Sequence, residues 1–89
     1  MNNTAKSAQP PISATTIRAM LLRFAAERIG RTFCPSDVAR AMAEDWRGLM
    51  PFIREEGARL VARGSLRCTQ RGQCCEPLSA RGAIRFSAP

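Results

Sequence analysis

The chain predicts a mainly α domain with a small β-hairpin, laid out as a winged helix-turn-helix of three helices and a two- to three-stranded wing. Three observations carry that expectation. Apolar residues recur at helical spacing from Ile17 to Ile29. Pro35 and Pro51 stand where helices begin. From Ser65 the period changes to alternation around a Gln70-Arg71-Gly72-Gln73 turn.

Met1 to Pro11 is polar, ends in a proline pair and reads as a disordered tail, leaving one domain over residues 12–89. Ser13 or Thr15 can cap a first helix whose apolar face is Ile17, Met20, Leu21, Phe24, Ala25 and Ile29. Gly30 suits the left-handed residue at its end. Arg31-Thr32-Phe33 is a short extended piece. A second helix starts at Pro35, with Asp37 in its positive first turn, and runs to about Ala43, burying Val38, Ala39 and Met42.

Trp46 to Met50 reads as a partly helical connector into a third helix over Pro51 to Arg63, stopped by Gly64. Its buried face is Ile53, Gly57, Leu60 and Val61; its outward set is Phe52, Glu55, Glu56, Arg59 and Arg63. Leu66 and Cys68 then alternate with Arg67 and Thr69. Cys74-Cys75 returns after the turn, Pro77 ends the pairing, and Gly82 to Phe86 offers a last strand. Phe24, Val38, Met42, Ile53, Leu60, Val61 and Leu66 are expected to share one core.

Eighty-nine residues at 45% hydrophobic content suit one small core. The net charge is +7, and all but one of the 14 basic residues are arginine. Arginine stays charged at any relevant pH and forks onto phosphate or carboxylate, so the excess favours a polyanionic partner. No stretch has the apolar core of a signal peptide, and the longest apolar run, Ala19 to Leu22, is far too short to span a bilayer. A cytoplasmic protein with free thiols, and no membrane partner, is the expectation.

Cys34-Pro35-Ser36, Val38-Ala39-Arg40, Trp46-Arg47, Leu49-Met50-Pro51, Ile53-Arg54, Gln70-Arg71-Gly72 and Arg81-Gly82-Ala83-Ile84-Arg85 occur in that order. The run resembles a small bacterial family, the domain of unknown function numbered 3253, over about Ile17 to Phe86. The resemblance implies a winged-helix-like fold. It implies no activity, substrate or ligand, and the vicinal Cys74-Cys75 pair lies outside the shared pattern.

The candidate site is a nucleic-acid interface, with double-stranded DNA as the expected partner. Arg67, Arg71, Arg81 and Arg85 crowd a segment holding one acid, Glu76, and can line a phosphate backbone. The alternative is a solvated hairpin edge whose charges deter strand pairing. Arg59 and Arg63 would join them if the third helix enters a groove. Glu55 and Glu56 weigh against that, and a Glu55–Arg59 pair at i,i+4 would make the helix an ordinary solvated or partner-binding face. A protein-interaction module, with an apolar patch around Trp46, Met50 and Phe52, is the competing function.

Arg47 and Arg54 read as structural: Arg47 stacks on a ring or binds a helix-end carbonyl, and Asp37, Glu44 and Asp45 are nearby acids for both arginines to pair with. Cys68 should oppose Cys75 across the hairpin, and Cys34 and one of the vicinal pair read as small buried hydrophobes. No histidine and no C-x2-C spacing are present, so neither a metal nor any other cofactor is expected. Without a histidine base, a phosphate loop or a nucleophile motif, the chain does not read as an enzyme.

Overall fold

The computed structural model describes residues 12–89; the tail expected over residues 1–11 lies outside them. The first helix, α1 (Ala14–Glu27), opens at Ser13, whose hydroxyl accepts from the Thr16 amide at 3.2 Å. That bond satisfies a donor the helix start leaves free. Ile17, Leu21, Phe24 and Ala25 form the buried stripe. Ile29, assigned to that stripe by its spacing, is instead 71% exposed. The helix stops two residues earlier, and the turn into Gly30, with φ +82°, carries Ile29 off the face.

Helix α2 (Pro35–Met42) begins on proline, and the Cys34 amide donates to Asp37 Oδ2 at 3.0 Å. Cys34 is therefore a half-buried capping residue and not the core hydrophobe expected of it. Val38 and Ala39 are buried, while Met42 packs half-buried at the core margin. A 3-10 turn (Trp46–Leu49) buries Leu49 and feeds α3 (Met50–Ala62), which holds Pro51 in its first turn, where no N–H is needed. At the far end Gly64 (φ +78°) donates to Val61 and Ser65 to Leu60, a Schellman closure of the last carbonyls.

The wing is a three-stranded antiparallel sheet in the order β2-β1-β3, with β1 (Arg67–Gln70), β2 (Gln73–Cys74) and β3 (Arg85–Ser87). Arg71 and Gly72 both take positive φ, at 53° and 81°, as a two-residue hairpin matched to strand twist requires. Phe33 joins from outside the strands, exchanging two 2.8 Å backbone bonds with Phe86.

That bridge decides the core. Phe24, Val38, Ile53, Leu60 and Leu66 share it as expected, Val61 sits at its margin with Met42, and Phe33, Leu49, Ile84 and Phe86 complete it. Phe33 lies between Phe24 and Phe86, with ring centroids 5.5 and 6.1 Å away. Each buried ring contributes roughly 1.5–3 kcal/mol of transfer free energy. Gly57 of α3 packs against the Cζ end of the Phe86 ring, where any Cβ would overlap it. Three helices, then a hairpin wing closed by a third strand, make a winged-helix-like layout. No described helix is long and apolar enough to cross a membrane.

Candidate nucleic-acid interface

Alternation along the wing strands separates two faces. Cys68 and Phe86 pair directly and point into the core. Their neighbours Arg67, Thr69, Arg85 and Ser87 therefore share the outer face, with Cys74 opposite Thr69. Two shallow depressions flank this surface. One is lined by Arg31, Thr32, Arg67 and Thr69 together with Gly72 and Ser87. The other lies at the foot of the wing and brings Arg71, Arg81 and Arg85 around Cys34 and Gln70. Among the described residues, no Asp or Glu lines either one.

Arg85 is the fixed member of the group. Its Nε donates to Thr32 Oγ1 at 2.5 Å, Nη1 to Cys34 Sγ at 3.0 Å and Nη2 to the Thr32 carbonyl at 3.3 Å. The loop carrying Arg81 is fastened from two sides. Gln70 Nε2 donates to the carbonyls of Arg81 and Ala83, and Arg54 donates to those of Pro77, Ala80 and Gly82. Arg54 thus binds carbonyls, and neither it nor Arg47 makes an ion pair with Asp37, Glu44 or Asp45. Arg47 stacks on Trp46 at 4.4 Å, and Arg40 on the same indole at 4.5 Å.

The third helix is arranged differently. Glu56, assigned to its outward set, is only 4% exposed. Its carboxylate takes Arg18 Nε of α1 at 3.3 Å and Arg59 Nη1 at 2.5 Å. Arg59 therefore pairs at i,i+3 with Glu56 and not with Glu55. The reason is packing: α1 crosses α3 and covers Glu56, and burial makes that carboxylate demand both partners. Beside α3 runs a groove lined by Glu55, Ala58, Arg59 and Ala62 on one side and Glu76 and Leu78 on the other, two acids against one arginine already paired. Arg63 is exposed at the helix's C-cap and lines none of these depressions.

Of the six expected phosphate-binding arginines, the structure brings Arg71, Arg81 and Arg85 together and places Arg67 in the adjacent depression. Arg59 and Arg63 lie apart from them. Arg31 joins Arg67 unforeseen; the sequence signal was the extended Arg31-Thr32-Phe33 piece, whose pairing to the last strand sets Arg31 beside the sheet. With these residues placed, the family can be read. A model described as protein of unknown function (DUF3253) matches residues 14–89. The chain belongs to that family. A search of curated proteins finds no match.

The cysteines of this DUF3253 domain fall into distinct settings. Cys68 and Cys75 oppose each other across the hairpin with sulfurs 3.3 Å apart, as the two-residue turn requires, while Cys74 faces out. Burial, then the contact with Cys75, pushes the Cys68 thiol up to about 12. It is a neutral core group at any physiological pH. Among the described residues no group of three or more His, Cys, Asp or Glu could hold a metal ion.

Proposed function

We propose that this domain binds nucleic acid, with double-stranded DNA as the intended partner, and that it acts by binding and not by catalysis. One observation carries the reading. Eight of the 13 arginines are engaged inside the fold, by Glu27, Glu56, aromatic rings, carbonyls or the Thr32–Cys34 edge. Arg31, Arg63, Arg67, Arg71 and Arg81 have no such partner among the described residues, and four of these five line the two depressions beside the wing, whose linings hold no Asp or Glu. Unpaired guanidiniums spaced along one face suit a phosphate backbone, which needs positive charge and little else.

The reading gives the wing and outer sheet face the larger share of contact and the third helix a smaller one. Fluorescence anisotropy on a labelled duplex tests it. With three to four phosphates neutralised, affinity should fall roughly 40- to 150-fold between about 50 and about 200 mM salt. Absence of duplex and single-strand binding at low salt would end it.

A second reading, a protein-interaction module, draws on Leu78, 60% exposed at the groove beside α3. The patch expected at Trp46, Met50 and Phe52 is half-buried against the core; Leu78, Ile29 and Leu22 are the exposed large apolar side chains among the described residues, and of these Leu78 lines the groove beside α3. Binding of a protein partner that ignores salt and is lost in Leu78→Glu would favour it.

A further inference from the structure

We propose that the depression at the foot of the wing is a seat for one phosphate group, and that its occupant is the terminal phosphate monoester of a nucleic-acid strand end. This rests on the nucleic-acid reading above and sharpens it.

The depression, about 310 Å³, is lined by arginines from three separate segments: Arg71 from the hairpin turn, Arg81 from the loop after Pro77 and Arg85 from β3. Each is presented and not merely present. The positive φ of Arg71 sets the turn, and the Arg81 backbone is fastened through Gln70. A guanidinium carries five N–H donors. Arg85 uses one each on Nε, Nη1 and Nη2 for Thr32 and Cys34, which leaves one free on each Nη for a ligand. Asp37, the nearest acid in sequence to Cys34, accepts from the Cys34 amide and does not line the depression.

Charge selects the occupant. A backbone diester brings one negative charge and two terminal oxygens. A monoester brings close to two charges at neutral pH and three acceptor oxygens, which matches three arginines lining one depression better. The neighbouring depression, with Arg31 and Arg67, suits the diesters of the adjoining strand, and the one lined by three arginines suits its end.

The test compares duplexes with 5′-phosphate and 5′-hydroxyl ends, otherwise identical, by anisotropy at low salt. The expected result is about tenfold tighter binding of the phosphorylated end, consistent with one to two added charge-assisted bonds. That preference should shrink near pH 5, where the monoester loses its second charge. Arg81→Ala removes a side chain with no partner among the described residues and should erase the preference, lowering affinity for the 5′-phosphate duplex about tenfold more than for the 5′-hydroxyl duplex. Equal affinity of the wild-type domain for both ends would overturn the seat and leave duplex binding standing. If no duplex binds at all, titration with inorganic phosphate decides the seat alone. Amide shifts confined to Arg81, Gly82 and Ala83 would support it, and absent or uniform shifts would overturn it.

Discussion

On the α3 side of the domain, arginine is bound up in the fold: Arg18 and Arg59 both meet the buried carboxylate of Glu56, and Glu55 and Glu76 line the neighbouring groove. On the wing side, Arg31, Arg67, Arg71 and Arg81 face solvent around depressions whose linings hold no Asp or Glu. The same residue type serves opposite ends because the seven acids are unevenly placed. Net charge alone, at +7, conceals this; position of the acids decides which surface a polyanion would meet. On the third helix Arg54 and Arg59 are engaged within the fold and Arg63 alone, at the C-cap, is unpartnered among the described residues, while the wing side carries the other four.

The largest expected effect lies where the two sides join. Gly57 of α3 packs on the Phe86 ring of β3, so Gly57→Ala must displace either the helix or the sheet. Overpacking of this kind costs about 3 kcal/mol, offset by roughly 1 kcal/mol of improved helix propensity. A net loss of about 2 kcal/mol in chemical denaturation is expected, with wing amides exchanging faster than those of α1. Unchanged stability would mean that helix and wing are not rigidly joined, and the contrast between them would lose its structural footing.

Much of this arrangement was legible in the sequence, and the failures share a cause. Proline and glycine positions gave the helix boundaries and the hairpin because those residues act locally, through φ and the missing N–H. The register that opposes Cys68 to Cys75 followed from turn length alone. Glu56 was misplaced because helical spacing describes an isolated helix, and only the crossing of α1 turns its flank into an interior. Ile29 was misplaced by extending a period past the point where the helix ends. Arg54 and Gln70 hold backbone carbonyls of a loop more than ten residues away, and carbonyls leave no signature in side-chain pattern.

A middle-sized effect tests the α3 side directly. Glu56→Gln keeps the shape but removes the charge that two arginines face. Breaking a buried pair is costly, yet both arginines are partly exposed and water can recover some of the loss. The expected destabilisation is about 1–2 kcal/mol, with duplex affinity unchanged or slightly raised as Arg18 and Arg59 are freed. A loss of duplex binding without loss of stability would move the interface to α3 and reverse the comparison.

The smallest effect on stability belongs to the wing, and its sign is informative. Arg67 and Arg71 are exposed and have no partner among the described residues, so reversing both to glutamate removes no contact within the fold. Exposed substitutions of this kind stay within about 0.5 kcal/mol. Here the change should be slightly favourable at low salt, because it relieves repulsion among Arg31, Arg67, Arg71, Arg81 and Arg85, and the gain should vanish at about 0.5 M salt as screening shortens the reach of each charge. The same double variant should bind any duplex more weakly and with a flatter salt dependence, the loss being similar across sequences, as phosphate contacts dictate. Thermal melting at two salt concentrations beside a duplex titration checks both halves. A drop in melting temperature as large as that of Glu56→Gln would show that these arginines are structural after all, and the wing would then be a second version of the α3 side.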